Sequence, residues 1–380
     1  MDIFGILVGL FLLIILVVIH ELGHAIVARR NGVVVEEFGI GFPPKAWAKK
    51  LKNGVLFSIN WLPLGGFVKL QGENDAASKK GDYGAASLWA KTKILMAGVA
   101  VNWVFAAFIF SIIAIAGMPK VLNNQFTVPA DTQEIGQPVT ISTVAKDSPA
   151  EEAGLEVGDE ILRFDGQPVP TPESLTILTK EHKGEEVEII YKRGSQEETA
   201  QTKLNEENNG KGYLGVGSTQ RTVTRSTWSA PIVGVGVAVQ FTGATLDGLG
   251  NLVISLAKGT TSQLSSDEKV RKEGSEQINE AGNSVAGPIG ILGVIFPAAK
   301  DAGLTSLLLL TGIISLTLAI MNALPIPALD GGRLFVTLLF RVMKKPLNKD
   351  LEEKIHGTGF AFLLLLIVII TVADVGKFFG

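Results

Sequence analysis

The sequence predicts a polytopic α-helical membrane protein of four spans, with a membrane-associated β-hairpin and an inserted α+β domain facing water. Three observations lead there. Hydrophobic residues make up 47% of the 380 residues and are concentrated in long runs. The runs lie at about 4–28, 93–117, 303–326 and 357–375, each close to the length that crosses a bilayer. Between the second and third lies a stretch, about 125–225, of ordinary globular composition.

The first run lacks the basic start and the small-residue cleavage site of a signal peptide, and its apolar core is too long, so it is expected to be a retained span. Near its end it reads His20-Glu21-Leu22-Gly23-His24. Two histidines four apart on a helix lie on one face, one turn apart, and their imidazoles can converge on one Zn²⁺. Glu21 sits where a general base for an activated water is needed. The bland alternative is a chance pair of surface histidines. It fits poorly, since charged groups in a membrane helix cost roughly 2.5–3.5 kcal/mol on insertion scales. The chain has only 4 histidines and no cysteine, so no thiolate is available as ligand or nucleophile.

A catalytic zinc takes three protein ligands, and residues 25–35 offer none. Charge locates the third. Eleven Lys/Arg lie between Arg29 and Lys93, and a second basic cluster runs from Arg333 to Lys354. By the positive-inside rule both segments face the cytoplasm. Both termini and the 118–300 region then lie outside. The run 303–326 therefore ends at the depth of His20 and His24, where the chain reads Asn322-Ala323-Leu324-Pro325-Ile326-Pro327-Ala328-Leu329-Asp330-Gly331-Gly332. Two prolines unwind this segment, and irregular backbone at that depth lines a cavity. Asp330 is the candidate third ligand. A juxtamembrane Asp-Gly turn with Arg333 as ion partner is the alternative. The net charge of −3 carries no nucleic-acid signal.

Three further segments matter. Residues 231–257 are moderately apolar, with Gln240, Asp247 and Asn251, and a crossing there would put Asp330 opposite the histidines. Parity thus argues for a surface-lying or partly embedded amphipathic helix. At 54–70 an alternating strand, a turn at Pro63 and Gly65-Gly66, and Phe67-Val68-Lys69-Leu70 suggest an apolar hairpin. Its edge can pair with an extended substrate, or the hairpin can simply pack on the bundle. Residues 139–145 look like a strand, 148–154 like a capped short helix ending at glycine, and 157–166 like a turn and strand. A helix near 172–182 and strands near 186–192 and 198–204 follow, and Tyr213-Leu214-Gly215-Val216 closes the unit. Such a domain can bind a peptide C-terminus or act as a spacer. The expected organisation is a membrane core at 1–120, the inserted domain at 121–220, a surface helix and connector at 221–300, and a second membrane core at 301–380.

His-Glu-Leu-Gly-His in the first span, PLGGFVK at 63–69, SPAEEAGLEVGDEI at 148–161, GPIGI at 287–291 and NALPIPALDGG at 322–332 together resemble the bacterial site-2 proteases. The resemblance covers nearly the whole chain. It implies an intramembrane zinc metalloprotease of regulated intramembrane proteolysis, in the bacterial inner membrane. His20, His24 and Asp330 would bind Zn²⁺, Glu21 would be the base, and Asn322 would help hold substrate. Gly65, Gly66, Phe67 and Val68 would belong to a substrate-clamping β element, and a PDZ domain at about 125–218 would filter substrates. Those substrates would be single-span membrane proteins, such as anti-sigma factors or signal-peptide remnants. Some members carry two tandem PDZ domains, and only one fits here. The rival classes are a zinc or cation transporter and a PDZ-based membrane scaffold. Neither needs Glu21 beside His20.

Overall fold

The computed structural model describes every residue except Met1, Ser195, Asn209, Ser284 and Gly380. It divides into two compact units, Met1–Ile113 with Pro231–Gly380, and Ala114–Ala230.

The first unit begins with α1 (Ile3–Arg30). Arg29 and Arg30 fall in its last turn, where cations complement the helix dipole. It ends where Gly32 turns left-handed, at φ +81°, and Val33 N–H donates to the Ala28 carbonyl. Next come β1 (Val35–Lys50) and β2 (Leu56–Leu70). Residues 35–42 occupy the middle of this small sheet, with Phe38 opposite Val68 on one side and Phe57 on the other. Residues 45–50 pair with 56–60, so the edges of the sheet are 45–50 and 62–70. This corrects the expected hairpin: 55–60 and 67–70 flank a common partner and do not pair with each other. The partner is masked in the sequence by two acids. Glu37 is buried within the sheet, accepting from Ser58 Oγ (2.7 Å) and Lys45 Nζ (2.9 Å), while Glu36 pairs with Lys69 (3.0 Å). α2 (Leu88–Ala116) then runs back along α1. Gly23 meets Ala97 so closely that a Cβ would lie 2.9 Å from its carbonyl oxygen. Small residues at such crossings let membrane helices approach.

The second unit contains β3 (Met118–Pro119), β4 (Gln133–Gly136), β5 (Val139–Val144), α3 (Pro149–Glu152), β6 (Glu160–Phe164), β7 (Gln167–Pro168), α4 (Pro172–Glu181), β8 (Glu186–Arg193), β9 (Gln196–Lys203), β10 (Val216–Thr219) and β11 (Thr222–Arg225). One sheet has the order β10-β5-β6-β8-β9, with β7 on β6, and the other β3-β11-β4. Ser148 caps α3 through the Glu151 amide, and Thr171 and Ser174 form a capping box on α4. Ile141, Ile161, Phe164, Leu175, Ile189 and Leu214 fill the core. Asp159 is buried beneath a two-pronged contact from Arg193, at 2.8 and 2.7 Å. The unit is longer at both ends than the expected 121–220. The reason is β3 and β11: they pair with each other, so both connecting segments belong to this unit.

The first unit resumes with α5 (Ala230–Gln263), α6 (Glu268–Asn283), α7 (Pro288–Gly290), a π turn at Ile291–Ile295, α8 (Phe296–Asp301), α9 (Leu304–Ala323), α10 (Asp330–Val342) and α11 (Lys349–Phe379). Among the described residues, five helices are long and apolar enough to cross a membrane: α1, α2, α5, α9 and α11. The sequence suggested four. The addition is α5, whose first half packs antiparallel on α2. Gly234 lies against Ser111, Phe241 stacks on Phe110, and Trp103 Nε1 donates to Thr242 Oγ1 (3.1 Å). The parity objection to α5 falls because the chain doubles back. α6 folds along α5 with Gly274 against Gly259, and Phe296 and Pro297 then seat on Gly9 and Gly5 near the start of α1. α9 therefore starts at the same end as α1 and delivers Asp330 to the histidines.

In the second unit, Asp131 ties the segment after β3 to the residues preceding α5. It accepts from the Thr227 and Ser229 amides (2.8 and 3.0 Å) and from both hydroxyls. Burial opposes its ionisation, but these hydrogen bonds outweigh it and hold its pKa at about 2. A depressed carboxylate stabilises the fold above its unfolded pKa of about 3.9, and that contribution is lost as pH falls through the folded value. Between about pH 4 and pH 2, Thr227 and Ser229 amide exchange should accelerate relative to the β-sheet core. Asp131→Asn should show the fast exchange already at neutral pH, and unchanged exchange in that variant would refute the latch.

Candidate metal centre

The centre is assembled from α1, α2, β2 and the turn into α10. α1 presents His20 and His24 on its buried face. The Nε2 atoms are 3.1 Å apart, and Asp330 Oδ2 lies 3.1 Å from His20 Nε2 and 3.2 Å from His24 Nε2. Ligand atoms about 2.0–2.1 Å from a tetrahedral zinc stand roughly 3.3–3.4 Å apart, so this triangle fits that ion. Two imidazoles and one carboxylate are also a zinc donor set.

The surroundings orient the rings. His24 Nδ1 lies 2.7 Å from the Ile94 carbonyl oxygen and donates to it, which leaves the Nε2 lone pair for a metal. His20 Nδ1 lies 3.4 Å from the side-chain amide of Asn102, a fully buried residue on α2. Asn102 Oδ1 is buried without a partner among the described residues. Turned about its amide, Asn102 offers that oxygen to the Nδ1–H that His20 carries when it coordinates through Nε2. Ser315 of α9 donates to the Asn102 backbone carbonyl (2.9 Å), joining the two helices at this level. Gly98 faces the pair of rings. A Cβ there would lie 2.5 Å from His24 Nε2 and 2.6 Å from His20 Nε2. The space into which the ring nitrogens point exists because residue 98 has no side chain.

A cavity of about 400 Å³ adjoins the triangle, lined by Glu21, His24, Phe67, Val68, Tyr83, Asp330, Arg333 and His356 among others. Glu21 thus shares the space with the ligand atoms and lies near the Val68 backbone. The expected residues Phe67 and Val68 line the cavity, and Gly66 touches Val17 and Glu21. Gly65 does not line it. With Pro63, it borders a separate apolar hollow beside Leu10, Ile14 and Val17. Asn322 is also outside the cavity lining and donates its amide to the Leu318 carbonyl of its own helix (3.0 Å). Arg333 does not pair with Asp330, as the turn alternative required. It pairs with Glu73 (2.6 Å) and Glu352 (3.4 Å) and covers the Tyr83 ring.

Sequence reasoning missed Asn102 and Gly98. Asn102 had a visible signal, an amide in the middle of an otherwise apolar span. Gly98 had none, because a glycine in a membrane helix is ordinary.

The sequence profile of Peptidase family M50 matches residues 8–366. The chain belongs to that family. M50 membership bears out the resemblance to site-2 proteases and gives the transporter and scaffold readings no support. A chain from Clostridium perfringens is 32% identical over 95% of both proteins. The zinc metalloprotease RasP of Geobacillus kaustophilus is 25% identical over 96% of each chain, and so is the regulator of sigma-W protease RasP of Bacillus subtilis. A solved PDZ domain, from the SdrC-like protein of Listeria monocytogenes, aligns with 25% of this chain and 94% of its own at 27% identity, with a TM-score of 0.20.

Gly98→Ala tests the triangle. Alanine is the better helix former by about 1 kcal/mol, which offsets part of the cost of displacing the buried rings, so the metal-free protein should still fold. Its methyl group should nevertheless push the rings apart, and the metal content of the purified chain, by elemental mass spectrometry, should fall well below that of wild type. Undiminished metal would show that the ion lies elsewhere.

Proposed function

We propose that this M50 peptidase is an intramembrane zinc endopeptidase acting on single-span membrane proteins. Anti-sigma factors are the first substrate class to examine, given the sigma-W regulator among its relatives, and signal-peptide remnants the second. One observation carries the reading: the triangle of His20, His24 and Asp330 opens, through His24 and Asp330, on a cavity that Glu21 and the edge of β2 also line. His20, His24 and Asp330 hold the metal. Zinc there supplies Lewis acidity, polarising a carbonyl and bringing the pKa of water toward about 7. Glu21 takes the proton from water and later hands it to the leaving amine.

A helical substrate hides its carbonyls in intrahelical hydrogen bonds and must be extended before attack. The 62–70 edge of β2 is the surface for that, since Phe67 and Val68 line the cavity and no strand covers their outer side among the described residues. The Leu70 amide is engaged by Glu73 (3.2 Å) and the Val68 amide by the Glu21 carboxylate, so a substrate strand would take over these donors as it pairs. The proposed clamp makes no use of the Asn322 amide nitrogen. The Lys/Arg distribution supports a cytoplasmic face for residues 29–93 and an outer face for both termini. The 114–230 unit acts as a PDZ-like filter through a groove between α4 and β10, walled by Leu175, Thr179, Tyr213 and Val216.

Glu21→Gln should keep the metal while turnover of a single-span anti-sigma substrate in proteoliposomes falls by about 10²–10⁴ or more, as for a lost general base. Wild-type turnover in that variant would sink the hydrolytic assignment. Val68→Pro removes one edge donor, the amide that otherwise faces Glu21, without touching a metal ligand. It should keep full metal, yet cleave membrane-embedded substrates at a small fraction of the wild-type rate. Equal rates would eliminate β2 as the clamp.

A further inference from the structure

Asp330 is held by an irregular turn, residues 324–329, that lies between α9 and α10. Three close approaches grip this turn. A Cβ on Gly332 would fall 1.8 Å from the Ile326 carbonyl oxygen, and one on Gly331 2.2 Å from that of Ala323. From the other side, α11 brings Gly359 against Pro327, where a Cβ would meet the Pro327 oxygen at 2.5 Å. One turn earlier on α11, His356 Nδ1 accepts from the Ala328 amide at 3.2 Å.

Ala328 has φ of +85°, a conformation that L side chains rarely adopt. Left alone, an alanine relaxes to negative φ, which would swing the following residues and Asp330 with them. The only side-chain hydrogen bond to the Ala328 amide among the described residues comes from His356. With Nδ1 as acceptor, a neutral ring carries its proton on Nε2, which is buried without a partner.

We infer that His356 is a positioning residue for the metal site: it holds Ala328 in its left-handed conformation and so fixes the direction of Asp330. The inference rests on the zinc assignment above for its consequence, but the cradle itself is independent of metal. His356 touches none of the three ligands, and its effect passes through the backbone of the turn.

The full-length protein in detergent serves for the test, with Zn²⁺ as probe. His356→Phe keeps a ring and removes the acceptor, and His356→Asn restores an acceptor near the Nδ1 position. Zinc affinity is measured by chelator competition, and amide exchange of residues 324–332 is followed in metal-free protein. His356→Phe should weaken zinc roughly 10–100-fold, the range seen when the support of a metal ligand is removed, and should speed exchange of the turn. His356→Asn should stay within about threefold of wild type on both measures. The decisive arm adds Ala328→Gly. Glycine takes positive φ without strain, so in that background His356→Phe should cost less than about threefold. An equal loss of affinity in both backgrounds would overturn the inference, as would unchanged exchange in metal-free His356→Phe. If His20→Ala and Asp330→Ala kept full zinc, the metal assignment would fail instead, and the exchange measurement would still decide whether His356 holds the turn.

Discussion

Everything in the helical unit depends on one constraint: three candidate ligand atoms from segments some 300 residues apart must meet within about 3 Å. The chain meets it by subtraction. Gly23 lets α1 and α2 touch, Gly98 leaves room in front of the rings, and Gly331 and Gly332 let the turn before α10 fold flat onto its own helix. Short polar side chains join the helices at this level, as with Ser315 on the Asn102 carbonyl. Hydrocarbon provides no competing hydrogen bonds, so each polar group placed there must find its partner inside the protein or drive the helices apart.

The aqueous end of the unit is organised differently. Arg333, Glu73, Glu352, Asp75 and Lys91 form a connected set of ion pairs and hydrogen bonds around Tyr83. This network binds the loop after β2 to α10 and to the first turn of α11. Removing one member would strand a buried charge, which costs far more than the net worth of any single pair. Its role is to keep α10 and α11 in register beside the ligand turn.

Much of this was legible because it is local. The i, i+4 histidines, the Glu between them and the caps of the water-facing unit are written in short stretches, and their geometry follows from helix periodicity alone. Asp330 was reachable by counting crossings, although the count itself was incomplete. α5 carries enough glycine and polar residues to blur its span signal, and the returning segment 268–301 is partly polar. Because 268–301 returns the chain to the start of α1, the expected meeting of Asp330 with His20 and His24 survived. The sheet was not legible, because 35–42 pairs with two partners at different separations and its buried Glu37 imitates a solvated position. Gly98 was invisible for a related reason, and the amide of Asn102 was visible without its role: the meaning of both lies in what another helix places opposite them.

The uncovered edge of β2 has a thermodynamic meaning under the proposed function. Its Val68 and Leu70 amides are held by the Glu21 and Glu73 carboxylates until another chain supplies complementary groups. A helix that unravels against them exchanges internal hydrogen bonds for intermolecular ones, and the total changes little. What distinguishes one segment from another is then how readily it surrenders its own helix. Glycine, proline and β-branched residues lower that resistance in any order and at many positions. An enzyme built this way sorts its substrates by conformational softness, and two good substrates need share no recognisable motif.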